Sequence, residues 1–282
     1  MASTSDSISA SRQSALDFLQ LFALTTSTPT QPLLLPALSL AKRELVRFLR
    51  QPHRIVGALA TPIVFWLLIG AGMGRSFSGG SYLTYFYPGT VLMILLFTAI
   101  FSTISIIEDR REGFLQSVLV APISPMAIVL GKVLGGTALA FGQGLIFLLL
   151  APVVGFHFTV LTFLLALGAM FVIAFSLTAL GFCIAWRMSS TQGFHAIMNL
   201  FLMPMWFLSG ALFPADKAQG GLKWVIAANP LSYGLSALRQ SMDGAAGLHG
   251  FGISLSIAAA FAVVMFLIAS FIATGRTSAD LQ

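Results

Sequence analysis

The chain has 282 residues, 57% of them hydrophobic and only 9% charged, with a formal net charge of +6. This composition excludes an ordinary soluble domain, and the lone Cys183 leaves disulfide scaffolds and metal clusters without material. The positive balance calls for no nucleic acid, because anionic lipid at an inner membrane surface accounts for it.

Residues 1–36 are rich in Ser, Thr, Gln and Pro and read as a disordered cytoplasmic tail. The short apolar patch from Phe18 to Leu24 lacks a basic leader, which sets aside the alternative of a signal or transit peptide. In residues 37–54, Leu38, Ala41, Leu45 and Phe48 share one helical face, and Arg43, Arg47 and Arg50 share the other. This segment is expected to lie on the inner membrane surface as an amphipathic interfacial helix; the alternative is a cytoplasmic helix packed on another protein.

Charge-free apolar runs follow, each long enough to cross a hydrocarbon core as a helix of roughly 20 residues. They predict an all-α integral membrane protein with six transmembrane helices, at about 55–74, 83–107, 127–154, 159–186, 191–213 and 251–274. The third and fourth share 54 consecutive residues without Asp, Glu, Lys or Arg, and Gly155-Phe156-His157 offers the turn between them. Residues 214–250 carry Trp224, Val225 and Ile226, too apolar for a plain external loop, and are expected to form a re-entrant or surface hairpin. Residues 276–282 form a second cytoplasmic tail. With six spans, 11 of the 15 Lys and Arg fall on the face shared by both termini, so both termini are expected to be cytoplasmic and the membrane the plasma (inner) membrane.

The densest charge cluster, Glu108-Asp109-Arg110-Arg111-Glu112-Gly113, stands between the second and third spans. Glu108 and Asp109 are read as opening a helix, where negative charge meets the positive end of the dipole. Phe114, Leu115, Val118 and Leu119 then form an apolar stripe that Pro122 ends. Ser124 can cap the next helix, Pro125 suits its first turn, and Lys132 can snorkel to the headgroups. A solvated loop without a partner is the competing reading of this segment.

Four stretches carry a family resemblance: Glu108 to Phe114 with Val120-Ala121-Pro122-Ile123-Ser124 and Gly131-Lys132; Phe86-Tyr87-Pro88-Gly89; Ser209 to Pro214; and Asn229-Pro230-Leu231-Ser232-Tyr233. In this order they resemble the type 2 ABC exporter permeases, in particular the daunorubicin-resistance-like group, over about residues 38–275. The resemblance implies that residues 108–126 form the coupling helix, docking a separate ABC ATPase subunit through Glu108, Asp109, Arg110, Arg111, Glu112, Gly113, Phe114, Leu115, Val118, Leu119 and Pro122. It also implies two ATPase copies and a second membrane subunit, the same chain or a sister. Gly131-Lys132 is followed by Val133 and has Met126 where a phosphate-cradling loop needs its first Gly, so ATP and magnesium are expected on the partner and no cofactor on this chain.

Inside the spans the polar candidates are Gln143, His195 and Asn199, each read as a hydrogen bond between helices or, alternatively, as a substrate contact on the pathway. Apart from Lys132 near one end of the third, the spans hold no acidic or basic residue other than His195, which argues against a secondary transporter or channel; without a clustered acid, base, nucleophile or metal site, no enzyme is expected either. An uncharged pathway favours amphipathic drug-like or lipid-like molecules, with glycans and peptides remaining open. In a Cys183→Ala background, a cysteine at Ser117 or Ser278 is expected to be shielded from an impermeant thiol reagent in intact cells, and one at Gln219 to react. External labelling at Ser117 would contradict the six-span topology.

Overall fold

A computed structural model describes residues 33–74, 81–120, 123–214, 219–244 and 249–277, and among these the secondary structure is helical throughout. Its helices are α1 (Leu34–Leu49), α2 (Pro52–Met73), α3 (Tyr82–Ser102), α4 (Ile104–Arg111), α5 (Phe114–Val120), α6 (Pro125–Leu148), α7 (Val160–Ala185), α8 (Thr191–Trp206), α9 (Gly221–Ala228), α10 (Pro230–Asp243) and α11 (Phe251–Thr277). Six stretches are long and apolar enough to cross a membrane: Ile55–Met73, Tyr82–Arg111, Pro125–Leu148, Val160–Ala185, Thr191–Ala211 and Phe251–Gly275. The protein is a multi-pass, all-α integral membrane protein.

The second span is the axis of the bundle. Its apolar window is 89% buried, against 17% for the first and sixth spans, which turn most of their surface outward. Aromatic rings wedge α2, α3 and α6 together: Tyr87 stacks on Phe147 at 4.6 Å, and the Trp66 edge meets Tyr87 at 5.5 Å. Near Thr103 this span is interrupted, where Ser102 and Thr103 turn their hydroxyls back onto the carbonyls of Ala99 and Ile100 and compete with the helical ladder. It resumes as α4 and runs to Arg111.

Several expected boundaries shift. Leu34 to Pro36 belong to α1 rather than to a tail, and Pro52 starts α2 after a break at Gln51, so residues 52–54 leave the interfacial segment. The third span ends at Leu148, followed by a 3₁₀ turn over Ala151–Val154. Ser124 caps α6 by accepting from the Met126 amide at 3.3 Å, with Pro125 in the first turn, as the sequence predicts. Residues 1–32 and 278–282, which hold most of the two expected tails, lie outside the described residues.

The face that α1 buries matches the expected one at Ala41 and Phe48 but is rotated away from Leu38. Ala37, Leu40, Ala41, Glu44 and Phe48 are buried, while Leu38 is 58% exposed. The buried stripe packs on α6, and two glycines make the approach possible. A Cβ on Gly131 would lie 2.7 Å from the Ala37 carbonyl oxygen, and one on Gly135 would lie 2.8 Å from the Glu44 Cβ. Gly131→Val is therefore expected to cost about 1–3 kcal/mol through overpacking. Gly142→Ala, where a Cβ meets nothing within 4 Å, should leave the thermal midpoint unchanged or slightly higher. Equal effects of the two in a detergent melt would contradict the close α1–α6 contact.

Candidate functional site

The charge cluster folds into a buried ionic knot. Asp109 is fully buried in α4, and its two oxygens accept four bonds. Arg43 grips it bidentately, Nη1 to Oδ2 at 3.0 Å and Nη2 to Oδ1 at 2.9 Å, and Arg47 Nη1 adds a bond to Oδ1 at 2.7 Å. Lys132 of α6 donates to Oδ2, to Glu44 at 2.6 Å and to Ser105 at 3.4 Å. Arg47 Nη2 reaches outward to Glu108 at 3.0 Å and Glu112 at 3.3 Å. Removing such charges from water is costly, and the arrangement holds because the lone pairs of Asp109 are all used. Burial opposes the charge on Arg43, but the bond and charge of Asp109 outweigh it and raise the pKa above the usual arginine range.

The knot joins α1, the end of the second span and the start of the third, and α5 is fastened to it. Gly113, at φ +76°, turns the chain between α4 and α5, and the Arg43 guanidinium lies 3.6 Å from the Phe114 ring centroid. Leu115 and Val118 are buried in the chain's own core, whereas Gln116, Ser117, Arg111 and Glu112 are exposed. Arg110 turns the other way and donates to the Met188 carbonyl at 3.0 Å and to the Trp186 carbonyl, tying α4 to the end of the fourth span.

Several expectations are corrected here. Glu108 and Asp109 do not open a helix; they lie in the closing turn of α4, and the turn at Gly113 lets the new helix start at Phe114. The stripe at Leu115 and Val118 faces inward and is not offered to a partner. Lys132 does not snorkel, because Glu44 and Asp109 satisfy it inside the protein, where it is 5% exposed. The side chain of Leu119 and all of Pro122 lie outside the described residues.

The three polar span residues do not converge. Gln143 is buried and accepts from the Thr98 hydroxyl at 2.5 Å, the expected interhelical bond between α3 and α6. His195 and Asn199 instead lie on the exposed face of α8 and make no hydrogen bond among the described residues. His195 meets the Phe101 ring edge-on at 5.4 Å and helps to line a cleft of about 410 Å³ with Phe48, Gly57, Phe101, Glu108 and Thr191. Sequence reasoning missed Glu44, Arg43 and Arg47 as members of the knot. The signal was present: Ala37, Leu40, Ala41, Glu44 and Phe48 follow helical spacing, with a carboxylate inside an otherwise apolar stripe.

Residues 37–242, from α1 through α10, match the family described as ABC-2 type transporter. The chain belongs to that family. Curated relatives agree. Nodulation protein J of Rhizobium leguminosarum bv. viciae is 26% identical over 222 residues, which cover 77% of this chain and 85% of that protein. The daunorubicin resistance ABC transporter permease protein DrrB1 of Streptomyces coeruleorubidus is 23% identical over 231 residues, covering 79% and 80%. As an ABC-2 permease the chain is a transport component, and the knot lies within the matched region. Asp109→Ala leaves Arg43 and Lys132 facing an empty buried site and is expected to cost about 3–5 kcal/mol of stability. Glu112→Ala, at a carboxylate with a 59% exposed side chain, should change it by less than about 1 kcal/mol. Similar unfolding midpoints for the two variants would contradict the knot.

Proposed function

We propose that this ABC-2 permease is the membrane subunit of an ATP-driven exporter, forming the translocation pathway and docking a separate ATPase subunit around α5. The observation that carries the reading is the attachment of α5. This short helix is bound to the membrane domain through Phe114, Leu115 and Val118 and presents Gln116 and Ser117 outward, beside the exposed Arg111 and Glu112 of the preceding turn. A load placed on that surface is delivered through the ionic knot to the second and third spans together. Glu108, Asp109 and Arg110 are thus the fastening of the coupling element, and its partner-facing surface is the exposed side of α5 and the turn before it.

Two ATPase copies holding ATP and magnesium, and a second membrane subunit, complete the proposed assembly; this chain supplies neither a catalytic site nor a cofactor. The exposed polar face of α8 supports the second subunit. Gln192, His195 and Asn199 project from a span where polar groups against lipid are costly, and a partner or a wet pathway relieves that cost. The cleft pairs Phe48, Phe101 and Ile104 with Glu108, Thr191 and His195 and suits an amphipathic drug-like or lipid-like molecule. A relative named for daunorubicin resistance supports the same class. The split of basic residues supports cytoplasmic termini in the plasma (inner) membrane.

The rival reading, a secondary transporter or channel, needs no ATPase. Glu112→Lys with Ser117→Arg should leave the chain inserted and its thermal midpoint unchanged, while ATPase pull-down and export both fall at least about tenfold. Leu115→Asp should instead destabilise the chain itself. Normal capture and export by the double variant would overturn the docking surface, and export without any ATPase would favour the rival.

A further inference from the structure

At the end of the membrane domain away from the knot, the fifth span loses its regular winding. Beyond Trp206 the helix widens into a π turn over Phe207–Ala211, and Gly210 takes φ +86°, kinking the chain. Such a break frees backbone carbonyls, which cannot stay unpaired at membrane depth. Side chains from two other elements collect them. Asn229, which caps the start of α10, donates to the Met205 carbonyl at 2.6 Å, and Arg239 Nη2 of α10 to the Gly210 carbonyl at 2.9 Å. From α3, the Tyr85 hydroxyl donates to the same Gly210 carbonyl at 3.1 Å, and the Tyr82 hydroxyl to the Leu212 carbonyl at 2.8 Å.

Arg239 differs in kind from the arginines of the knot. Among the described residues no carboxylate pairs with it; its Nε is buried without a hydrogen-bond partner, and its guanidinium rests 4.3 Å from the Tyr85 ring centroid. Carbonyl dipoles and a ring face hold its charge, and the carbonyl contacts depend on the shape of the break. A one-residue shift of the π turn into α winding would carry the Gly210 carbonyl away from both donors. The tyrosines stand on the first turn of α3, and the second span, α3 continued after the break at Thr103 by α4, carries Asp109 near its other end and so connects the latch to the knot.

We propose that Arg239 is a positioning residue that latches the far end of the pathway shut by holding the Gly210 carbonyl, and that displacement of the second span releases it. The proposal rests on the exporter reading for the source of that displacement, but not for the latch itself.

The test uses the whole complex in liposomes, with Cys183→Ala and a reporter Ser209→Cys, at a position that is 2% exposed. Labelling by an impermeant maleimide is timed without nucleotide and after vanadate trapping. The latch predicts slow labelling without nucleotide, about tenfold faster in Arg239→Gln, faster also in Tyr85→Phe, and within about twofold of the parent in Arg239→Lys, which keeps a cationic donor. A control Ser176→Cys, buried on α7, should label at one rate in all of them. Unchanged Ser209→Cys rates in both Arg239→Gln and Tyr85→Phe, or equal acceleration at Ser176→Cys, would overturn the latch. If vanadate changes nothing while Arg239→Gln still labels faster, the latch stands and the exporter reading fails.

Discussion

A single carboxylate, Asp109, has to be satisfied where water cannot reach it, and the rest of that end of the molecule is arranged to do so. It is fully buried, with Arg43, Arg47 and Lys132 donating from two other helices. Each cation has a second acidic contact in the knot: Arg43 and Lys132 at Glu44, Arg47 at Glu108 and Glu112. Because an orphaned buried charge costs several kcal/mol, none of the buried members, Asp109, Glu44 and Lys132, can leave alone. The knot therefore fixes the register of α1 on α6, and the glycines at 131 and 135 are the steric counterpart of that electrostatic demand. It also explains why α5, short and attached through a tight turn, has a defined seat.

The two ends of the second span are held by different physics. Four bonds to charged groups saturate Asp109, so the knot behaves as a joint without slack. Around Gly210 the acceptors are backbone carbonyls exposed by a widened turn, the donors are two tyrosines and an arginine, and no carboxylate takes part among the described residues. The first arrangement suits transmission of a displacement, and the second suits giving way to one. In the proposed mechanism an ATPase acts on α5, the knot carries the motion into the second and third spans, and the far end responds.

Much of this architecture was legible in the chain itself. The spans follow from charge-free apolar runs, and Ser124 with Pro125 marks the start of α6 because capping is local chemistry. Side-chain facing was less legible. Leu38 and Leu45 make one face of α1 look apolar, yet the buried stripe runs through Ala37, Ala41 and Glu44, where small residues allow close approach and the acid has a partner 88 positions away. The same distance hid the fate of Lys132, which reads as a snorkelling cation until Glu44 and Asp109 are placed beside it. Leu115 and Val118 show a stripe without saying which neighbour covers it, and His195 and Asn199 share a helical face whose orientation only tertiary packing decides. Arg239 carried no local signal, since its acceptors are carbonyls of a turn that the sequence does not announce.

The central claim is that the knot makes α1, α5 and the adjoining ends of the second and third spans one rigid body. Spin labels at Lys42 and Ser117, both exposed, report on it directly when their separation is measured by double electron–electron resonance in the ATPase-bound complex, with and without trapped nucleotide. The account predicts one narrow distance distribution that does not move between the two states. A shift or a marked broadening on nucleotide binding would show that α5 moves independently of α1 and would contradict it.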